Sequence, residues 1–288
     1  MVGIKIDGKI IAQIVKDRVK KEIYEFKNQG ITPCLATILI GNNPASATYV
    51  KNKHNACEEV GITTKDHKLD ETITQHELNK IIDELNEDAS VNGILVQLPL
   101  PKHLNEFDTT SRISPVKDVD GLTPHNAGLL SMKKAKLVAC TPSGVMEMFD
   151  YHHIDLEGKD IVLINRSNLV GKPLYHLLVE KNATVITCHS KTKNIEKICH
   201  SADIIITAVG DRTKFILTPE MIKENAIVID VGISKFKGEL VGDCDYEKII
   251  EKASFATPVP GGVGPMTVAM LLKNTIIATS LGTQIGRQ

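Results

Sequence analysis

The stretch Asp160-Ile161-Val162-Leu163-Ile164-Asn165-Arg166-Ser167-Asn168-Leu169-Val170-Gly171-Lys172-Pro173 decides the fold. Its four consecutive apolar residues read as a strand buried on both faces, and they give way at Asn165 to a polar loop. Similar β-rich runs recur about every twenty residues, at 184–188, 203–209 and 226–231, and each run except the last is followed by a helix or crossover. That alternation predicts a doubly wound, Rossmann-like parallel sheet in an α/β protein.

Toward the N-terminus, Ile11, Ile14, Val15, Val19, Ile23 and Phe26 form a helical stripe that stops at Gly30 and Pro33. A short strand over 35–40 follows, then the turn Gly41-Asn42-Asn43-Pro44 and a helix to about Val60, stopped by Gly61. Thr74 and Glu77 form a capping box ahead of Leu78, Ile81, Ile82 and Leu85, which predicts a further helix. The run 93–98 is a buried strand broken by Pro99 and Pro101, so its last residues enter a loop. The polar stretch 114–124 places a boundary near Gly121, giving an N-terminal α/β domain over 1–120 and the Rossmann-like domain over 121–288. A final apolar segment, 268–281, reads as a helix packing back on the body and is assigned to the second domain.

The 288 residues, 42% hydrophobic and 24% charged, suit two globular domains, and a formal net charge of -1 gives no electrostatic reason to expect nucleic acid or an anionic membrane as partner. No segment approaches ~18 uninterrupted apolar residues and no basic, then apolar, leader opens the chain, so the expectation is a cytoplasmic protein. Six cysteines without a C-x-x-C pair read as reduced thiols. Cys188-His189 and Cys199-His200 stand eleven residues apart, poor spacing for zinc, and no metal is expected.

In a parallel sheet, ligands bind beyond the strand C-termini, where helix N-termini attract phosphate. Asn165 to Pro173 holds that position without a G-x-G-x-x-G fingerprint, so an ordinary turn and a dinucleotide loop both remain open. The next strand ends in His189-Ser190-Lys191 where an NAD enzyme usually carries a ribose-binding carboxylate. Arg166 reaches the same space with a planar fork suited to a 2′-phosphate, which favours NADP; a solvated surface arginine is the plain alternative. On the helix from Pro44, Ser46, Tyr49, Val50, Lys53, Cys57 and Val60 share a face. Lys53 there either snorkels to water or, held by a partner such as Gln97, loses its charge by desolvation and acts as a base. Lys117-Asp118-Val119-Asp120-Gly121 offers two carboxylates for a metal, a cap or an amidine-like ring. The glycine-rich run 258–267 is either a hinge or backbone approaching a ligand.

Tyr49-Val50-x-x-Lys53, Gln97-Leu98-Pro99-Leu100-Pro101, Lys117-Asp118-Val119-Asp120-Gly121, Arg166-Ser167-x-x-Val170-Gly171-x-Pro173 and Pro260-Gly261-Gly262-Val263-Gly264-Pro265-Met266-Thr267 stand in one order along nearly the whole chain. In that order they resemble the bifunctional methylenetetrahydrofolate dehydrogenase/methenyltetrahydrofolate cyclohydrolase family. The resemblance implies NADP-dependent oxidation of 5,10-methylenetetrahydrofolate, then hydrolysis to 10-formyltetrahydrofolate. It makes the N-terminal domain the folate-binding catalytic one, with Lys53 the catalytic lysine, Tyr49 the ring that stacks on the folate, Gln97 the partner of Lys53, and Asp120 the carboxylate that holds the pterin. Leu98, Pro260, Gly261 and Gly262 join the substrate site by the same likeness. It assigns the cofactor to Asn165, Arg166, Ser167, Val170, Gly171, Pro173, His189, Ser190, Ala208, Val209, Gly210, Val231, Gly232, Ile233, Gly264 and Thr267. Arg166 and Ser190 are the implied 2′-phosphate contacts, and a homodimer formed through the nucleotide-binding domain is implied too. Two positions depart from the family: Asn165 stands where glycine is usual, and Ser143 where a basic residue is common. The alternatives are a dehydrogenase without hydrolase activity, which would not need Lys53 and Gln97, and a noncatalytic dinucleotide sensor, which would need none of the Tyr49, Lys53, Gln97 and Asp120 set.

Overall fold

The computed structural model describes residues 2–285, and the chain divides into two compact units, each discontinuous in sequence. One comprises the residues through Ala12 with Thr141–Thr267; the other comprises Gln13–Cys140 with the segment from Val268 on. The sequence places a single boundary near Gly121 and leaves the closing helix with the second domain, and both features differ in the structure. The helix spans Val263–Ile285, and buried Asn274 donates through Nδ2 to the carbonyls of Val119 and Val138, each at 2.8 Å. Those bonds seat the helix in the Gln13–Cys140 unit. The opening residues join the other unit because Ile4–Lys5, too short for any periodicity to register, pairs with Phe255–Ala256.

That unit is built on a six-stranded sheet in the order Ile4–Lys5, Phe255–Ala256, Ile227–Asp230, Ile204–Thr207, Asp160–Ile164, Thr184–Cys188, with every neighbour parallel. The helices Gly171–Glu180 and Ile195–Ser201 make the crossovers around Asp160–Ile164. Continuous apolar runs follow from burial on both faces: Ile161, Val162, Leu163, Ile204, Ile205 and Ile206 are all at most 1% exposed. Each such side chain contributes roughly 1.5–3 kcal/mol by leaving water. The chain order makes the junction of Asp160–Ile164 and Ile204–Thr207 a topological switch point, where crossovers depart in opposite directions and leave a crevice beyond the strand ends.

The other unit holds three parallel strands in the order Thr63–Leu69, Cys34–Ile40, Gly93–Val96. Ile38, Ile94, Leu78 and Ile82 are fully buried in its core. The expected capping box forms: Glu77 N donates to Thr74 Oγ1 at 3.2 Å and Thr74 N to Glu77 Oε2 at 2.9 Å, opening the helix Gln75–Glu87. Such a cap stabilises a helix by about 1 kcal/mol. Among the described residues, no helix is long and apolar enough to cross a membrane.

Candidate functional sites

The helix Pro44–Val60 starts directly after the buried central strand Cys34–Ile40 and its turn. Its inward face buries Ser46, Cys57 and Val60, and Lys53 lies on that face at 9% exposure. Lys53 does not snorkel: its Nζ donates to Gln97 Oε1 at 3.1 Å. Gln97 follows the strand Gly93–Val96, and its Nε2 donates to the Leu98 carbonyl at 2.7 Å, which fixes the amide with its oxygen toward the lysine. Tyr49, one turn before Lys53, is 44% exposed and free to offer a ring face.

The Lys117–Gly121 loop divides its tasks. Lys117 Nζ donates to the carbonyls of Leu85, Asn86 and Asp88, closing the C-terminal end of the helix Gln75–Glu87. Asp118, 1% exposed, accepts from Leu122 N, Thr123 N and Asn126 Nδ2. Capping therefore uses up one of the two carboxylates, and Asp120 is the other. Loss of water lifts the Asp120 carboxyl above the usual carboxylate range, while the Lys53 ammonium and the Cys140 thiol pull it back. Lys53, Gln97 and Asp120 are thus one electrostatic cluster in a single unit, with Tyr49 and Leu98 beside it in sequence. The thiol of Cys140 is pushed well up by burial and stays protonated. No group of three or more His, Cys, Asp or Glu side chains suited to a metal occurs among the described residues.

Pro260, Gly261 and Gly262 lie in the other unit. Their run is not a loose hinge there. Gly8 N donates to the Gly261 carbonyl at 2.9 Å, and Gly261 holds φ +102, a backbone setting that favours glycine. Thr267 pairs with Thr141 through their hydroxyls at 2.9 Å. Ser143 falls in the first turn of the helix Cys140–Tyr151.

Most of the residues expected to hold the cofactor gather at the switch point. Asn165 through Val170 extend from the strand Asp160–Ile164, Ala208 to Gly210 from Ile204–Thr207, and Val231 to Ile233 from Ile227–Asp230. Asn165 accepts through Oδ1 from Ser167 N at 2.8 Å and Gly171 N at 3.0 Å, and donates through Nδ2 to the Ala208 carbonyl at 2.6 Å. Its side chain braces two loops. Val170 N turns to Ser167 Oγ and Lys172 N to the Ser167 carbonyl, while Pro173 has no N–H. The amides at the start of the helix Gly171–Glu180 are therefore already satisfied, and the phosphate attraction expected from them falls instead to side chains.

A cavity of about 240 Å³ beside them is lined by Arg166, Gly171, Lys172, Tyr175, His176 and Thr187, with no carboxylate. Its cationic lining next to the strand that ends at Cys188 fits a ribose 2′-phosphate, and so fits NADP better than NAD. Lys172, Tyr175 and His176 escaped the sequence reading; their spacing on a helix that starts in the phosphate loop was the available signal. Asp230 and Asp243 escaped it as well, since acidic residues in a sequence look like solvated surface, yet both are at most 2% exposed.

The family model described as tetrahydrofolate dehydrogenase/cyclohydrolase, catalytic domain, matches residues 6–120, and its NAD(P)-binding domain counterpart matches residues 139–282. Bifunctional protein FolD of Nitrosopumilus maritimus (strain SCM1) is 78% identical over 287 residues, covering 100% of both chains. The crystal structure of the FolD methylenetetrahydrofolate dehydrogenase/cyclohydrolase from Campylobacter jejuni superposes with TM-score 0.93 at 47% identity, covering 96% of this chain and 98% of that one. The Trypanosoma brucei dehydrogenase-cyclohydrolase, solved with NADP cofactor and inhibitor, gives TM-score 0.92 at 35% identity over 98% of this chain and 99% of that one.

Proposed function

We propose how two clusters of side chains share the work of a chain that belongs to the tetrahydrofolate dehydrogenase/cyclohydrolase family. The chain is a bifunctional, NADP-dependent enzyme: it oxidises 5,10-methylenetetrahydrofolate to 5,10-methenyltetrahydrofolate and hydrolyses that product to 10-formyltetrahydrofolate. The observation that carries the assignment of residues is the buried Lys53 held by Gln97, with Asp120 in the same field.

In the first step the protein orients its substrate. The Asp120 carboxylate accepts hydrogen bonds from the pterin 2-amino group and ring N–H, and Tyr49 stacks on the folate. Leu98 offers apolar contact beside Gln97, and Pro260, Gly261 and Gly262 are further substrate residues by the family likeness. When bound, NADP supplies the hydride acceptor. Arg166 and Ser190 hold its 2′-phosphate, with His189 beside them. The loops Asn165–Ser167, Ala208–Gly210 and Val231–Ile233 hold the rest, together with Val170, Gly171, Pro173, Gly264 and Thr267. No protein nucleophile is needed for this step.

In the second step the methenyl carbon is electrophilic. Beside the bound methenyl cation the Lys53 ammonium gives up its proton to solvent, and the amine then takes a proton from the attacking water as the new C–O bond forms. The C–N5 bond breaks with its electron pair going to N5, which takes up a proton, while the remaining hydroxyl proton leaves and the carbon becomes the N10 formyl group. Gln97 keeps the amine aimed. A monofunctional dehydrogenase would have no use for this pair.

The test is an assay of purified protein with methylenetetrahydrofolate and either NADP or NAD, following the reduced cofactor and the methenyl chromophore together. Reduction of NADP without methenyl build-up is expected. Accumulating methenyl product would mean that hydrolysis is missing. Arg166→Ala should lower the preference for NADP over NAD, and an unchanged ratio would remove Arg166 from the phosphate site.

The homodimer rests on the edge strand Thr184–Cys188, which pairs on one side only and exposes Ile186 at 41%, while Tyr175 and Val179 on the preceding helix are 38% and 41% exposed. An apolar open edge of this kind invites aggregation unless covered, and a second copy of the chain covers it. Sedimentation equilibrium should return twice the chain mass, reduced to one by Ile186→Lys; a wild-type monomer would end this reading. A cytoplasmic location is supported by six free, buried cysteines, as expected where thiols stay reduced.

A further inference from the structure

Beneath the switch-point loops lie two carboxylates that the mechanism above does not use. Asp243 is 0% exposed and Asp230 is 2% exposed. Asp243 Oδ2 accepts from Thr207 Oγ1 at 2.8 Å and from Val209 N at 2.6 Å, and its Oδ1 accepts from Gly210 N at 2.9 Å. Asp230 Oδ1 accepts from Gly232 N at 3.0 Å and Asp243 N at 3.1 Å, and its Oδ2 accepts from Cys244 N at 2.8 Å. The two groups therefore tie the ends of the strands Ile204–Thr207 and Ile227–Asp230 to the segment Gly242–Cys244. Space is reserved for them: a Cβ on Gly232 would overlap the Asp243 carboxylate, and one on Gly242 would overlap that of Asp230.

Burying a carboxylate is costly, and apolar residues of similar volume fill a core at less cost. What a carboxylate gains here is direction. With the Gly210 N–H drawn down to Asp243, planarity of the peptide turns the Val209 carbonyl the opposite way. The Ala208 carbonyl is already held by Asn165. The polar groups of this loop are thus fixed from two sides, and the Val209 oxygen is left as an acceptor facing away from the carboxylate.

We infer that Asp243, seated by Asp230, is a positioning residue for the dehydrogenase reaction: it fixes the loop Ala208–Gly210 so that the outward Val209 carbonyl meets a donor group of the bound cofactor. The inference rests on the placement of the cofactor at the switch point proposed above. Asparagine at 243 would keep the shape but set an NH2 against a backbone N–H, so the loop would lose its fixed orientation.

The experiment measures both activities of the full chain carrying Asp243→Asn. The expected result is a KM for NADP raised about tenfold, equivalent to about 1.4 kcal/mol, with the dehydrogenase kcat within about threefold and the hydrolysis of methenyltetrahydrofolate unchanged. Hydrolysis depends on Lys53 in the other unit and reports whether the chain is intact. A KM for NADP within about twofold of wild type, or a joint loss of both activities alongside a normal Thr207→Val variant, overturns the inference. Thr207→Val removes one anchor of Asp243 with little change in volume, and a rise of a few-fold in the same KM, with hydrolysis intact, supports it even if Asp243→Asn does not fold. Arg166→Ala separates the two levels. If it alters NADP preference while the Asp243 and Thr207 variants do nothing, the positioning role is wrong and the cofactor placement stands; if none of the three has an effect, both fall.

Discussion

Replacing Lys53 with Met keeps the unbranched stem and removes only the amine, so it isolates the second chemical step. In the structure Lys53 is 9% exposed and its amine lies 3.1 Å from Gln97 Oε1. A positioned general base is worth roughly 10²–10⁴ in rate, or about 3–5 kcal/mol of barrier, and hydrolysis should fall by that factor. Stability should change by less than about 1.5 kcal/mol, the range of a single hydrogen bond, because Gln97 keeps its bond to the Leu98 carbonyl and is only half-buried. Oxidation should persist, since hydride transfer uses no protein nucleophile. The folate KM should rise, because the Asp120 carboxyl, already lifted by burial, loses the Lys53 charge that holds it down. With NADP and methylenetetrahydrofolate, the variant should form NADPH and accumulate methenyl product at matching rates. A variant that still produces 10-formyltetrahydrofolate at the wild-type rate would refute the assignment of Lys53 as the base.

Two further outcomes are expected. Asn165→Gly, which installs the residue usual in the family, removes three hydrogen bonds and adds backbone freedom; urea unfolding should show a loss of about 2–4 kcal/mol, and no loss would mean that Asn165 does not brace the loops. Asp230 is pushed up to about 6 from 3.8, chiefly by burial and then by Asp243, opposed by its hydrogen bonds. Its folded state holds the proton more tightly than the unfolded chain, so its contribution to stability is greatest below pH 3.8, falls as pH rises through about 6, and is level above that. The unfolding free energy of wild type minus that of Asp230→Asn should therefore drop by about 3 kcal/mol across that window, and a difference that is flat with pH would contradict the shift.

Much of this was legible in the sequence wherever burial on both faces leaves an apolar run or a cap has its own spelling. The strand Asp160–Ile164 and the capping box at Thr74 and Glu77 are such places. The strand Thr63–Leu69 left no trace, because Thr-Thr-Lys-Asp-His-Lys-Leu forms a mostly exposed sheet edge held by backbone pairing to Cys34–Ile40. In the candidate site, motif order singled out Lys53, Gln97 and Asp120, but only geometry showed that Asp118 and Lys117 are occupied with capping. Asp230 and Asp243 stand thirteen residues apart, and their pairing depends on strand ends meeting in space, which no local pattern encodes.

The parallel pairing of Ile4–Lys5 with Phe255–Ala256 bears on how the molecule is made. Gly3 N, Ile4 N and Ile6 N donate to the carbonyls of Ile250, Ser254 and Ala256, so this segment finds its partners only after Phe255–Ala256 has been synthesised. Until then an edge of the six-stranded sheet stays open, and the closure that completes it spans most of the polypeptide. The entropy of such a closure grows only logarithmically with length, but the wait itself is long. Of the six strands in this sheet, the one made before the rest is among the last to dock.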